Sequence, residues 1–224
     1  MRSEWVPFSA GALVTGVMAL VLAQMLNPAG SDQSPTAQLV VAADSDGRWL
    51  AMSLLYFAAS AAMILGMPSV LTMFTGRGRA LGVLGVMVFS VGCLGVAGLS
   101  ALMLMFRALA IEAATRPDND VLVEFVGDSL TNLGLQVSLA VWVYGFLVGV
   151  LLIALGLFRA RLTPVWVPML LLAFLGMQVV LQAFDDAGKV LAAIGLLLLA
   201  AGFTGIATHV TAPARREYVA GSMA

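Results

Sequence analysis

The chain has 224 residues, of which 61% are hydrophobic and only 10% charged, against about a quarter charged in an ordinary soluble domain. Eleven basic and twelve acidic residues leave a net charge of −1, and without a long basic tract nucleic acid is excluded as a partner. One cysteine and one histidine exclude an intrachain disulfide, bis-histidine haem ligation and a Cys/His zinc site.

Six apolar stretches, each near the roughly 20 residues a bilayer crossing needs, predict an all-α polytopic membrane protein. They fill residues 1–211 as a single domain and leave 212–224 as a cytoplasmic tail. The first span covers 8–26. Arg2 ahead of it would suit a signal peptide, but the run exceeds the usual h-region of about 7–15 residues. A retained span is therefore expected. It carries Ala12 and Gly16 at small-xxx-small spacing, which suits close helix contact in lipid.

The first external loop follows, with turn formers at Asn27-Pro28, Gly30 and Pro35. Within it Gln38–Ala43 is apolar but too short to cross, and is expected either on the membrane surface or folded over the outer mouth. The second span covers 49–74, with Trp49 and Tyr56 expected as interfacial anchors. Thr75-Gly76-Arg77-Gly78-Arg79 is a tight basic turn.

The third span, 80–111, is longer than one crossing and is expected to tilt or to project beyond the surface. Gly92, Gly95 and Gly98 make a smooth strip on it, with Cys93 read as a small packing residue. After an acidic segment the fourth span, 129–158, carries a GxxxG at Gly145 and Gly149. Arg159 and Arg161 mark the next basic turn. Spans five and six, 165–184 and 190–210, are joined by Asp185-Asp186-Ala187-Gly188-Lys189, and His209 near the end of the last span reads as an interfacial residue.

The loop charges alternate. Arg2, Arg77, Arg79, Arg159, Arg161, Arg215 and Arg216 fall on one side with two acids, Glu4 and Glu217, and the remaining ten acids fall on the other. Arg-rich short loops stay in the cytoplasm, so both termini are predicted cytoplasmic and the acidic side external. Arginine used almost to the exclusion of lysine, with abundant Ala, Gly, Val and Leu, fits a GC-rich bacterial genome and hence the bacterial cytoplasmic membrane. Arg77, Arg79, Arg159 and Arg161 suit anionic lipid headgroups. The small residues Ala12, Gly16, Gly92, Gly95, Gly145 and Gly149 are read first as contacts within the bundle, and second as a seam for a homo-oligomer or a membrane-protein partner.

Polar residues inside the spans are the sharpest clue to function, because lipid penalises them. Asp128, Asn132 and Gln136 recur every four residues on the fourth span, which places them on one face. Gln178 and Gln182 do the same on the fifth, and Asp185 continues that stripe. Arg107, inside the third span, needs a partner or a water-filled cavity, and Asp128 and Asp185 are the natural partners. Together they predict an outward-facing polar pocket between spans three, four and five, for a small molecule taken from the external side by binding or transport. No motif calls for a metal or a cofactor.

Two other readings stand beside it: a non-catalytic subunit of a larger membrane complex, and a membrane-embedded enzyme using Asp128, Asp185 or Glu112. Six spans, cytoplasmic termini and a long first external loop resemble the substrate-binding subunits of energy-coupling-factor vitamin transporters. That resemblance covers topology and no motif. It implies a loop between spans one and two that covers the ligand, and partner contact through Ala12 and Gly16.

Overall fold

Long runs of Leu, Val, Ala and Met offer the backbone no water, so its N–H and C=O groups must pair within the segment, and the helix is the form that does this. The computed structural model describes residues 5–28, 35–74, 76, 78–115, 133–181 and 188–221. Seven helices appear among them: α1 (Trp5–Leu26), α2 (Pro35–Asp44), α3 (Asp46–Leu71), α4 (Arg79–Thr115), α5 (Leu133–Ala160), α6 (Trp166–Leu181) and α7 (Gly188–Gly221). The described residues contain no strand. Five stretches are long and apolar enough to cross a membrane, namely Trp5–Leu26, Asp46–Leu71, Arg79–Glu112, Leu139–Ala160 and Val190–Ala212, and Trp166–Leu181 is a shorter apolar helix. The chain is a multi-pass helical membrane protein.

The six longer helices form a closed ring in chain order. α1 packs on α3, α3 on α4, α4 on α5, α5 on α6 and α6 on α7, and α7 returns to α1. Hydrophobic burial does not drive helices together in lipid, so close approach depends on small residues. A Cβ on Gly66 of α3 would lie 2.5 Å from Leu13 Cβ of α1, and one on Gly16 would lie 2.7 Å from the Met63 backbone nitrogen. α4 and α5 interlock in the same way: Gly85 faces Ile153, Gly92 faces Phe146, Gly95 faces Trp142 and Gly149 faces Phe89. On α7, Gly202 meets Leu171 and Gly205 meets Trp166 and Val167 of α6. In each pair the contacts climb one helix as they descend the other, so neighbours run antiparallel. One end of the bundle thus carries Asp44, Asp46 and Glu112, and the other Arg79, Arg159 and Arg161. These are called the acidic and arginine ends.

Two positions at the arginine end need a left-handed backbone. Gly78 (φ 84°) turns the chain between α3 and α4, and Arg161 (φ 51°) ends α5. A side chain on Gly78 would in addition meet the Gly156 carbonyl at 2.7 Å.

Pro68 lies inside α3, where a missing N–H breaks the helical ladder. Ser9 of α1 covers the break. Its hydroxyl lies 2.7 Å from the Leu65 carbonyl and 3.1 Å from that of Gly66, to which it donates, and it accepts from the Ser69 N–H at 3.2 Å.

Several boundaries differ from the hydropathy reading. α3 starts at Asp46, three residues ahead of Trp49, because a turn at Ser45 alone separates it from α2 and an acid in the first turn suits the helix dipole. The apolar piece of the first loop is helical, and α2 packs chiefly against α4. At 37 residues and a rise of about 1.5 Å each, α4 is roughly 55 Å long, well beyond a hydrocarbon core of about 30 Å. α7 continues to Gly221, so the tail is helical where the sequence offers only a segment beyond the last span. Residues 129–132 and 182–184, which hydropathy assigns to spans four and five, lie outside the described residues.

A candidate ligand cavity at the acidic end

The ring opens at the level of the last α4–α5 glycine contacts, where Gly92 meets Phe146 and Gly95 meets Trp142. A cavity of about 270 Å³ lies in the half of the bundle nearer the acidic end, and all six long helices line it. α1 contributes Leu20 and Gln24, α3 Tyr56 and α4 Val96. α5 supplies the broadest wall, with Trp142, Val143, Phe146 and Leu147. Phe174 and Gln178 of α6 sit one turn apart, on one face, and Ala192 and Leu196 of α7 complete the circuit.

Four phenylalanines close the side toward the arginine end. Phe89 lies 4.8 Å from Phe146 and 5.5 Å from Phe203, ring centre to ring centre, and Phe146 meets Phe174 edge-on at 6.3 Å. Phe89 and Phe203 have no exposed surface. Each is seven residues away from a lining residue of its own helix, Val96 or Leu196, which is about 10 Å along the axis.

The polar groups of the cavity are uncharged. The Tyr56 hydroxyl donates to Gln24 Oε1 at 2.8 Å across the α1–α3 interface. This ties up one acceptor and one donor and leaves the Gln24 amide N–H groups and the Tyr56 oxygen lone pairs available. The Gln178 side chain lines the same cavity from α6, with Nε2 beside Gly195 of α7.

Of the residues that the sequence nominates, Gln178 lines the cavity. Gln136 is described and is exposed, so the polar stripe of the fourth span does not turn inward there. Arg107 has a partner among the described residues, Asp46, while the expected partners Asp128 and Asp185 lie outside them. It donates from Nη2 to Asp46 Oδ2 at 2.9 Å, with Nε against Oδ1 of the same carboxylate. The pair bridges α4 and α3 beside the stacked rings of Trp49 and Phe106. Arg107 is 11 residues past Val96 on α4, about 16 Å along the axis, and is not part of the cavity wall. Asp128, Asn132, Gln182, Asp185 and Arg77 lie outside the described residues. Arg79, Arg159 and Arg161 are exposed at the arginine end.

Trp49 and Tyr56 are not interfacial anchors. Both are buried, and Trp49 Nε1 donates to the Met103 carbonyl of α4 at 3.0 Å. Tyr56 lies ten residues into α3, about 15 Å from its start, a depth at which a phenol needs a protein partner. Gln24 on α1 is an intramembrane polar group able to supply it, and that complementarity is the signal the sequence holds. Trp142, Phe146 and Phe174 carry no such signal, since aromatic residues are common throughout apolar spans.

The single cysteine and the single histidine both lie within the helix packing. Cys93 is buried, with its carbonyl accepting from Ser60 Oγ. His209 Nδ1 lies 2.7 Å from the Gly205 carbonyl of its own helix. Among the described residues no three His, Cys, Asp or Glu side chains come together in a way that could hold a metal. Comparison with protein-family models, curated proteins and solved structures finds no match to this chain.

Proposed function

We propose that this is a six-span protein of the bacterial cytoplasmic membrane, with both termini cytoplasmic, that binds or transports a small molecule through the cavity at its acidic, external end. The observation that carries the reading is the cavity itself. Six helices contribute to one partly open space, aromatic rings line it, and Gln24, Tyr56 and Gln178 give it neutral polar groups. Ligand sites commonly have this form: concave, mostly apolar walls with a few placed polar groups. The six-span topology is supported by α6, whose 16 described residues are almost all apolar, and by the alternation of acidic and arginine-bearing turns.

The test is gentle purification followed by mass spectrometry of small molecules that travel with the protein. A molecule should accompany the wild type in stoichiometric amount and be lost from Ala192→Trp, which fills the cavity. Equal recovery from both proteins, or from neither, sinks the reading. Reporter fusions at the C-terminus test the orientation, and an external C-terminus would refute it.

A further inference from the structure

The chemistry of the cavity wall restricts what it can hold. Among the described residues no charged side chain lines the space. Arg107 pairs with Asp46 some 16 Å further along α4 by helical rise and does not reach the cavity wall. An ionic ligand would leave water without a counter-charge to offset its lost hydration. Aromatic surface comes chiefly from Trp142, with a smaller share from Phe146 and Phe174 packed almost fully behind it, and suits a planar or ring-bearing molecule. Hydrogen-bonding capacity is concentrated on two opposed walls: the Gln24–Tyr56 pair on α1 and α3, and the Gln178 amide on α6. Each wall offers a donor and an acceptor.

The wall also reaches the outside of the bundle. Val143 lines the cavity and is 38% exposed on α5, while α5 and α6 make the sparsest contact of any neighbours in the ring. Val179 of the neighbouring α6 is likewise apolar and exposed.

From these observations we infer that the ligand is a neutral, lipid-soluble molecule with an apolar ring body and one hydroxyl, carbonyl, amine or amide end, and that this end is held between Gln24–Tyr56 and Gln178. The inference rests on the binding reading above and narrows it to one ligand class. At about 270 Å³ the space lies just below the usual range for drug-sized ligands, about 300–1,000 Å³. It accommodates a compact molecule or the polar end of a longer one whose tail leaves past Val143.

Two fluorescent probes of similar ring area separate the possibilities, used with the full chain in lipid nanodiscs and read by energy transfer from tryptophan. 1-Aminoanthracene is neutral, planar and carries one amine; 1-anilinonaphthalene-8-sulfonate is an anion. The neutral probe should bind saturably. Its affinity should fall at least about tenfold in Ala192→Trp and about tenfold in Gln178→Leu, the loss of one useful hydrogen bond. Gln178→Leu keeps the side-chain size, and its thermal unfolding should match the wild type, so weaker binding there reports on the ligand and not on the fold. Saturable binding of the sulfonate that Ala192→Trp abolishes would keep the site but overturn the neutral class. Binding of the neutral probe unchanged in both variants would overturn the placement of its polar end. Failure of both probes to bind would overturn the cavity as a binding site.

Discussion

The two halves of the bundle are built on different principles. Toward the arginine end, α4 and α5 touch backbone to backbone, with Gly149 against Phe89 and Gly85 against Ile153, and the Phe89–Phe203 pair fills the centre. Toward the acidic end the same two helices present Val96, Trp142 and Val143 to a shared space. Gly98, next in the glycine row of α4 after Gly92 and Gly95, has nothing among the described residues within 4 Å of where its Cβ would lie. The glycine row continues past the point where the contact ends. In lipid, small residues permit close approach, but van der Waals contact is gained only where a partner backbone is present. The cavity therefore begins where the partners become too bulky or turn away, and not where the glycines run out.

This contrast can be broken from its strongest point downward. Phe89→Ala removes a fully buried ring from the floor and should cost about 3–5 kcal/mol, read by equilibrium unfolding in detergent. It should also extend the cavity toward the arginine end, so that probes too large for the wild type begin to bind. If stability is lost without any change in ligand size range, the phenylalanines are not the floor. Next, Gly149→Ala places a methyl 2.5 Å from the Phe89 Cα, where a backbone cannot yield, and should cost about 1–3 kcal/mol. Gly98→Ala is the matched control and should stay within about 0.5 kcal/mol of the wild type. Equal effects from the two glycines would mean that the halves do not differ in packing.

A smaller effect tests the α1–α3 seam. Ser9→Ala leaves the backbone groups around Pro68 without their bridging hydroxyl and should cost about 1 kcal/mol, within the range measured for interhelical hydrogen bonds in membranes. Ligand affinity should not change, because Ser9 lies at the arginine end of α1, away from the cavity. A loss of affinity larger than the loss of stability would show that the break at Pro68 shapes the site.

Parts of the site are legible in the amino-acid sequence, and the reasons are specific. Gln24 and Gln178 stand out because an amide within an apolar run is costly and therefore informative. Gln178 belongs to a polar stripe and lines the cavity. Gln136 belongs to an equally regular stripe yet is exposed, because periodicity identifies a face of a helix but not what that face meets. Arg107 calls for a partner, and the chain holds several acids on the correct side. The one that pairs with it, Asp46, is 61 residues away and sits on the first turn of α3. That choice requires α3 to begin just after Ser45 and to lie beside α4. The same limit applies to Trp49 and Tyr56: amphipathic rings near a span end fit the interface, but both turn inward once α1 and α4 flank α3.

The sequence by itself determined that the chain is a bundle of apolar helices, roughly where each begins and ends, and which turns carry positive and negative charge. These follow from hydrogen bonding in lipid and from local composition, which act within a segment. Tertiary structure alone decided that the helices close into a ring, that a cavity opens beside the contacts of Gly92 with Phe146 and Gly95 with Trp142, and that Gln24, Tyr56 and Gln178 line it together. Each of those facts depends on which backbone lies within a few ångströms of another, and no stretch of residues read by itself contains that distance.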